Sequence, residues 1–170
     1  KFVVVGGAGL IGSHTVDQLI KEDVKEIMIY DNFVRGTNEN ISKALKDPRV
    51  KIFEVGGDIC QNDILNEAFK GADGVFHFAA LWLLQCHDYP RSAFDVNIRG
   101  TFNVIEACIK HNVKRLVFTS TMAVYGYGNN QPPFTETMLP EPIDPYGIAK
   151  YACEMDIKIA GEQHGLDWCI

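Results

Sequence analysis

Short apolar runs alternate with longer amphipathic stretches along the whole chain, and this alternation limits the possible folds more than any other feature. The apolar runs, rich in Val, Ile and Phe, have the pattern of strands buried on both faces of a parallel sheet. They are residues 2–5, 26–30, 50–55, 74–78, 115–119 and a run that begins at Trp168. The stretches between them predict helices over residues 10–21, 38–46, 63–70, 93–111 and 146–164. Strands that alternate with helices predict an α/β, doubly wound fold, in which helices cover both faces of one parallel sheet.

The composition fits a single globular domain. With 170 residues the chain is long enough for a full hydrophobic core, and 46% hydrophobic against 22% charged residues is ordinary for a soluble protein. A net charge of -6 and the lack of any basic run argue against binding of nucleic acid. No apolar stretch approaches the roughly 20 residues that cross a bilayer, so we expect no membrane partner either.

The cysteines indicate a reduced, cytoplasmic protein. The five cysteines are odd in number and widely spaced, and no two of them form a Cys-x-x-Cys pair. A disulfide framework or a zinc site is therefore not expected. Cys86, His87 and Asp88 are adjacent side chains of metal-binding type, but no second cluster accompanies them, so we predict no metal.

Both ends of the sequence suggest a larger protein. The chain begins without methionine, and residues 167–170 have the pattern of a strand that is just beginning. We therefore expect residues 1–170 to form one domain, with further sequence after Ile170.

A glycine-rich turn directly follows the first predicted strand. Gly6, Gly9 and Gly12 are spaced so that one makes a tight strand-to-helix turn, one admits a pyrophosphate and one lets helix and strand pack closely. The helix N-terminus that follows offers free N–H groups and a partial positive charge to phosphates. About 20 residues further on, Asp31 ends the second predicted strand, where a carboxylate can bind ribose hydroxyls and would repel a 2′-phosphate. The pattern predicts an NAD site, and the alternative is a purely structural turn with a surface carboxylate.

Tyr146 and Lys150 form a Tyr-x-x-x-Lys pair at the start of the last predicted helix. Five of the seven prolines lie between Gly126 and Tyr146, which predicts a loop between the fifth strand and that helix. Residues four apart share one helix face, so the ammonium can lie near the phenol and favour the phenolate, a base for a substrate hydroxyl. Hydroxyls at residues 119–121, after the fifth strand, would face the same crevice. The alternative is an exposed tyrosine with a solvated lysine.

Taken together, these motifs resemble those of the extended short-chain dehydrogenases/reductases, and most closely the NAD-dependent epimerase/dehydratase family, which includes UDP-glucose 4-epimerase. The matching segments extend over the whole chain and are residues 6–12, 31–32, 57–59, 76–80, 97, 124–126 and 145–150. The resemblance implies a Rossmann fold that binds NAD.

The resemblance also implies roles for individual residues. The implied cofactor-binding residues are Gly6, Gly9, Leu10, Ile11, Gly12, Asp31, Asn32, Asp58, Ile59, Phe78, Ala79, Ala80, Asn97, Ser120, Tyr146 and Lys150. Among these, Asp58 and Ile59 would contact the adenine, and Ser120 would lie near the nicotinamide. Asn97 would also support the central helix and the active-site network. The implied catalytic residues are Thr121, Tyr146 as the base, and Lys150, which would bind the nicotinamide ribose and tune Tyr146.

The activity that the resemblance implies is 4-epimerisation of a UDP-hexose, by transient oxidation to a keto-sugar and re-reduction. Sugar 4,6-dehydratases of this family carry Asp-Glu after the catalytic threonine, but this chain has Met122 and Ala123, so we discount dehydration. The resemblance further implies a homodimer formed through the helices 93–111 and 146–164, and a substrate-binding part after residue 170. Two alternatives stay open, namely a nucleotide-sugar dehydrogenase, decarboxylase or reductase with net use of NAD, and a non-catalytic NAD-binding protein.

Two aromatic side chains need a separate interpretation. Trp82 stands where some hexose epimerases have a lysine, in an unusually apolar segment over residues 81–84. We interpret Trp82 as loop packing, with a cover for the nicotinamide or a partner contact as alternatives. His77 lies inside an apolar strand, and we interpret it as a core histidine whose hydrogen bonds are satisfied.

Overall fold

The computed structural model describes residues 1–128 and 131–170, and within them six parallel strands form one sheet. The strands are β1 (Phe2–Val5), β2 (Ile27–Tyr30), β3 (Val50–Ile52), β4 (Gly74–His77), β5 (Arg115–Phe118) and β6 (Asp167–Cys169). Their order across the sheet is β3-β2-β1-β4-β5-β6, so the chain crosses from one edge back to the middle between β3 and β4. This order is that of a Rossmann fold and confirms the predicted α/β, doubly wound architecture.

Helical segments connect the strands. The α-helices of the described residues are α1 (Leu10–Leu19), α2 (Asn38–Ile41), α3 (Asn62–Phe69), α4 (Leu83–Asp88), α5 (Pro90–Ala93), α6 (Thr101–Lys110) and α7 (Pro145–His164). Ala44–Lys46 and Met122–Tyr125 are 3-10 segments. Phe94–Gly100 is a π-helical segment that leads directly into α6.

The central strand β1 shows how the sheet is buried on both faces. Val3 and Val5 pack in one hydrophobic cluster with residues of α3, α6 and α7, whereas Val4 packs in a second cluster with residues of α1 and α2. All three valines are fully buried. Successive strand side chains point to opposite faces, so a strand covered on both sides needs the unbroken apolar run that the sequence shows.

The helix α7 begins and ends at residues that favour helix termini. The carboxylate of Asp144 accepts a 2.9 Å hydrogen bond from the N–H of Gly147, and Pro145 occupies the first helical turn. Gly165 ends the helix in the left-handed conformation, with a φ of 70°. These two caps place Tyr146 and Lys150 in the first two turns of α7.

The structure differs from the prediction in three segments. The predicted helix over residues 38–46 is divided into α2 and a 3-10 segment, and β3 ends at Ile52, because Glu54 and Val55 lie exposed in a bend. The π-helical segment takes up seven residues of the helix predicted over 93–111. Two further helices, α4 from Leu83 and α5 from Pro90, were not predicted. Helices of six and four residues, as α4 and α5 are, are too short for a helical period to be visible in the sequence.

Candidate active site

The glycine-rich turn lies at the carboxyl end of β1, between the loops that follow β2 and β4. Gly6 has a φ of +80°, and a Cβ there would lie 2.7 Å from the backbone nitrogen of Ala79. A Cβ on Gly12 would lie 2.1 Å from the carbonyl oxygen of Gly6, so α1 packs closely on the turn. For a Cβ on Gly9, the one described atom within 4 Å is the same oxygen, at 3.3 Å. Packing therefore requires glycine at positions 6 and 12, whereas a Cβ on Gly9 would have this single tight neighbour and otherwise open space.

That open space lies over the N-terminus of α1. Gly9 precedes the helix, and no side chain caps it in the described part of the chain. Leu10 and Ile11, the first two helical residues, are 74% and 56% exposed. The first N–H groups of a helix have no partner inside it and attract anions such as phosphate. The geometry therefore suits the phosphate-binding role predicted for Gly9, Leu10 and Ile11.

Asp31 connects the end of β2 to the glycine-rich turn through a hydrogen bond. One carboxylate oxygen accepts a 2.9 Å hydrogen bond from the N–H of Ala8, and the other accepts one of 2.8 Å from the N–H of Phe33. A carboxylate oxygen has a second acceptor position, so these bonds are compatible with the predicted contact to ribose hydroxyls. The neighbouring Asn32 is exposed, and its Oδ1 accepts a hydrogen bond from Val34.

Asp58 and Ile59, the residues predicted to contact the adenine, lie between β3 and α3. The carbonyl of Asp58 accepts a 2.9 Å hydrogen bond from the hydroxyl of Tyr30, which ties this segment to β2. The Ile59 side chain is buried beside Gly100, just before α6. An adenine contact would therefore involve backbone atoms of Ile59 rather than its side chain, and the contact stays a prediction.

The loop after β4 forms the other wall of the crevice. The N–H groups of Phe78 and Ala79 both donate to the carbonyl of Val5, at 2.8 and 3.2 Å, so the chain stays beside β1 after β4 ends. Phe78, Ala79 and Ala80 are each half-buried. They lie where residues lining a cofactor would be needed, at the carboxyl ends of neighbouring parallel strands.

Asn97 anchors the next residue of this loop, Leu81, through both backbone groups. The Oδ1 of Asn97 accepts a 2.7 Å hydrogen bond from the Leu81 N–H, and its Nδ2 donates one of 3.0 Å to the Leu81 carbonyl. The Nδ2 also donates to the sulfur of Cys86, at 3.3 Å. The Asn97 side chain thus holds the loop after β4 against the π-helical segment. Segments of this type often occur at functional sites.

The Thr121 hydroxyl lies close enough to Tyr146 to influence the pKa of its phenol. The Thr121 hydroxyl oxygen accepts a 3.2 Å hydrogen bond from the N–H of Ala123, which fixes it at the start of a 3-10 segment. Burial raises the pKa of Tyr146, Cys86 raises it further, and the Thr121 hydroxyl lowers it. Lys150 is not among the groups that shift the pKa of Tyr146 here, and its tuning of Tyr146 stays a prediction.

Lys150 is almost fully enclosed, with 3% of its surface exposed. Its ammonium donates a 2.8 Å hydrogen bond to the carbonyl of Thr119 and lies 4.3 Å from the centre of the Phe118 ring. Burial lowers the pKa of Lys150 to about 8. An ammonium has three donors, and for two of them we find no partner among residues 1–128 and 131–170, so they are available to a ligand.

Ser120 contacts an acidic residue that was not predicted from the sequence. Its hydroxyl donates to the carboxylate of Glu154 on α7, and the same carboxylate forms an ion pair of 3.4 Å with Lys158. Glu154 follows Lys150 by four residues, as Lys150 follows Tyr146, so all three lie on one face of α7. That spacing was the signal that could have identified Glu154.

His77 is a core residue, as predicted, although only one ring nitrogen is hydrogen-bonded. Its Nε2 lies 2.9 Å from the hydroxyl of Thr101, and its Nδ1 has no hydrogen-bond partner among the described residues. Burial lowers the pKa of His77 to about 3, with the charge of Lys150 as a second cause, so the ring is neutral at physiological pH.

Comparison with known proteins shows the family of this chain. Residues 2–170 match the NAD dependent epimerase/dehydratase family. The chain belongs to the NAD-dependent epimerase/dehydratase family. The predicted family is thereby confirmed, and nearly the whole of the chain is part of the match.

Individual relatives within the NAD-dependent epimerase/dehydratase family are similar throughout. The UDP-glucose 4-epimerase of Streptococcus mutans is 34% identical over 168 residues, which are 96% of this chain and 48% of that protein. The Thermotoga maritima UDP-glucose 4-epimerase with UDP-glucose has a TM-score of 0.88 at 33% identity, over 98% of this chain and 53% of that one. The Thermus thermophilus UDP-glucose 4-epimerase in complex with NAD has a TM-score of 0.87 at 34% identity, over 98% and 52%. The chain spans about half the length of the relatives it matches.

Two kinds of element are absent from residues 1–128 and 131–170. No helix there is both long and apolar enough to cross a membrane. No group of three or more His, Cys, Asp or Glu side chains in the same ranges is arranged to hold a metal ion.

Proposed function

We propose that the protein is an NAD-dependent nucleotide-sugar 4-epimerase. The observation that carries the proposal is the placement of Tyr146 and the buried Lys150 one turn apart on α7, with the Lys150 ammonium bonded to the Thr119 carbonyl, two residues before Thr121. A phenol beside a hydroxyl, with an ammonium on the same helix face, is an arrangement that suits proton transfer. A UDP-hexose is the proposed substrate, because the three relatives described above are UDP-glucose 4-epimerases.

The residues of the crevice fit a dinucleotide. The space over Gly9 and the exposed N-terminus of α1 suit the phosphates, and Asp31 with Asn32 suits the adenosine ribose. Asp58 and Ile59 border the adenine end. Phe78, Ala79 and Ala80 line the wall, with Asn97 behind them. Ser120, Tyr146 and Lys150 suit the nicotinamide end. When bound there, NAD supplies the group that accepts hydride from the sugar and returns it.

Proton transfer is the task of Tyr146 in this proposal. Its phenolate would take the proton from the 4-hydroxyl of the sugar, and the nearby Thr121 hydroxyl favours that phenolate by lowering the pKa of Tyr146. Burial works in the opposite direction and raises the pKa of Tyr146. A cation is therefore needed to make the phenol a base near neutral pH. The two available donors of Lys150, when directed towards the ligand, place a positive charge on that side of the site.

Dehydration is disfavoured by the residues after Thr121. Met122 is 60% exposed and, like Ala123, has no acidic group, so the carboxyl groups that eliminate water in the dehydratases are missing at these positions. A dehydrogenase, decarboxylase or reductase acting on a nucleotide sugar is the second candidate, because it would use the same Tyr146 and Lys150. A non-catalytic NAD-binding protein would have no need of Thr121, Tyr146 and Lys150 together.

A homodimer and a cytoplasmic location are part of the proposal. Large apolar side chains are exposed along the π-helical segment, α6 and α7, as expected for helices that pair with a second copy. They are Phe94, Phe102, Ile148, Met155 and Ile159. A monomeric mass for the full-length protein in solution would contradict the dimer.

The deciding experiment uses the full-length protein with NAD and a panel of UDP-, GDP- and dTDP-sugars. Products and the absorbance of NADH are followed together. Interconversion of two 4-epimers without net NADH is the expected result, and preference for a UDP-hexose would identify the substrate. Net NADH would favour the dehydrogenase candidate, and no turnover despite bound NAD would favour the binding protein.

A further inference from the structure

The loops that follow β2 and β4 contact each other through Arg35 and Trp82. The guanidinium carbon of Arg35 lies 5.0 Å from the centre of the Trp82 ring, within the range of a cation–π interaction. The strands β2 and β4 are the two neighbours of β1 in the sheet. The contact therefore joins the two sides of the crevice at the carboxyl end of β1, where the glycine-rich turn and the N-terminus of α1 lie.

The Arg35 side of this contact is fixed to the glycine-rich turn at Ala8. The N–H of Thr37 and the Nδ2 of Asn40 both donate to the carbonyl of Ala8, at 3.2 and 2.8 Å. A Cβ on Gly36 would lie 2.7 Å from the Cβ of Ala8, so the backbone next to Arg35 rests directly on the turn. This arrangement holds the base of the Arg35 side chain beside the predicted phosphate site.

The Trp82 side is fixed as well. Trp82 follows Leu81, whose N–H and carbonyl are both hydrogen-bonded to Asn97. Two residues before Leu81, Ala79 packs against Gly6 of the turn. Trp82 is 42% exposed, so one part of the ring carries the guanidinium while another part faces solvent. A tryptophan in this position acts as a platform that limits where the Arg35 side chain can go.

Charge distinguishes Arg35 from the other arginines. Arg49, Arg91, Arg99 and Arg115 each form an ion pair with an aspartate. Arg35 forms none with any residue in the ranges 1–128 and 131–170. The turn over residues 6–12 contains no charged side chain, so the phosphate site has only backbone N–H groups and the helix dipole of its own. A free cation is thus held next to a site that is suited to anions but has no full positive charge.

We propose that Arg35, oriented by Trp82, is a phosphate-binding residue for the dinucleotide, an inference that rests on the proposed NAD site. Stacking on an indole occupies the face of a guanidinium and leaves the N–H donors along its edge available for phosphate oxygens. The N-terminus of α1 then binds the pyrophosphate from below, and Arg35 binds it from the loop after β2. Trp82 is a positioning residue. Besides packing in its loop, as interpreted from the sequence, it contacts the proposed phosphate ligand Arg35.

The experiment is a comparison of dissociation constants, measured by calorimetry on the full-length protein without substrate. The ligands are NAD, ADP and adenosine, of which adenosine has no phosphate. Arg35→Ala is expected to weaken binding of NAD and of ADP about tenfold, the lower end for a charge-assisted hydrogen bond at an exposed site, and to leave adenosine binding unchanged. Trp82→Leu is expected to weaken NAD and ADP by a smaller factor, because the guanidinium keeps its charge but loses its platform.

Two further variants make the comparison specific. Arg115→Ala removes the same charge at the first residue of β5, at the amino end of the strands and away from the crevice, and should leave all three constants unchanged. Arg35→Lys keeps the charge without the planar fork and should lie between Arg35→Ala and the unmodified protein.

Three outcomes would overturn the inference. Unchanged NAD and ADP binding in Arg35→Ala, or an equal loss of adenosine binding, would leave the proposed function intact and exclude Arg35 as a phosphate ligand. An effect of the same size in Arg115→Ala would show that the loss of one positive charge anywhere on the protein, and not the position of Arg35, weakens binding. A full-length protein that binds no NAD at all would overturn the proposed function together with this inference.

Discussion

The ammonium of Lys150 lies 4.3 Å from the centre of the Phe118 ring and donates a 2.8 Å hydrogen bond to the carbonyl of Thr119, at the end of the strand that carries Phe118. The end of β5 thus supplies both an aromatic face and a carbonyl to a lysine that is almost fully buried. These contacts compensate the ammonium only in part, because burial still lowers the pKa of Lys150 to about 8. Its charge is therefore sensitive to pH just above neutrality.

The first prediction concerns stability against pH. The pKa of Lys150 is about 8 in the folded protein against 10.5 for an exposed lysine. Below pH 8 both states hold the proton, and the folded protein bears the full cost of the buried charge. Between pH 8 and 10.5 the folded state releases the proton first, so its stability rises with pH. Relative to Lys150→Met, the free energy of unfolding should rise by about 3 kcal/mol at most across this range.

Urea unfolding of the two proteins at a series of pH values, with the dinucleotide removed, measures this difference. Other titrating groups are common to both proteins and cancel. A difference in unfolding free energy that stays constant from pH 8 to 10.5 would show that Lys150 does not titrate in this range.

The second prediction concerns the proton-transfer residue. Tyr146→Phe removes the phenolic hydroxyl and keeps the ring, so the fold and the affinity for NAD should be preserved. Turnover should fall about 10²- to 10⁴-fold, the usual contribution of a positioned acid or base. Tyr151→Phe is the matched control on the same helix, because its hydroxyl lies on another face of α7. Near-normal turnover in Tyr146→Phe, or an equal loss in Tyr151→Phe, would exclude the assigned role.

The third prediction concerns the pH dependence of turnover. The Thr121 hydroxyl lowers the pKa of Tyr146, so its removal in Thr121→Val should raise that pKa. The acid limb of the kcat/KM profile should then move to higher pH. Thr121→Ser keeps a hydroxyl and should restore the original profile. A uniform loss of rate in Thr121→Val, without a shift of the limb, would mean that Thr121 only binds substrate.

The strands and the glycine-rich turn could be predicted because their causes are local. A strand covered on both faces must be apolar along its whole length, as Val3, Val4 and Val5 are, and packing allows no side chain at Gly6 and Gly12. The start of α7 was visible for the same reason, since helix caps involve residues only a few positions apart.

The remaining parts of the site depend on contacts between distant residues. Ser120 and Glu154 are 34 positions apart, and Asn97 and Leu81 are 16 apart, so neither hydrogen bond has a signature in a short stretch of sequence. The Arg35–Trp82 contact likewise needs β2 and β4 to flank β1 before its two loops can meet. The direction of the Lys150 ammonium could not be deduced either, because helix spacing gives the face of a side chain and not its hydrogen-bond partner.

The last prediction distinguishes Gly12, where packing requires glycine, from Gly9, which leaves room for phosphate. In Gly12→Ala the new methyl group would lie 2.1 Å from the Gly6 carbonyl oxygen and 2.7 Å from the Cα of Gly7, and both are backbone atoms. Because relieving the clash would require a shift of the backbone, the free energy of unfolding should fall by about 2 kcal/mol or more. In Gly9→Ala the nearest described atom is 3.3 Å from the methyl group, and Gly9 has a φ of -74°, which alanine adopts without strain.

Gly9→Ala should therefore stay folded, within about 1 kcal/mol of the original stability, and lose affinity for NAD, because the methyl group occupies the space over the N-terminus of α1. Urea unfolding and NAD calorimetry on both variants measure the two effects separately. A Gly9→Ala protein with unchanged NAD affinity would place the phosphates elsewhere, whereas an unaffected Gly12→Ala protein would contradict the close packing of α1 on the turn.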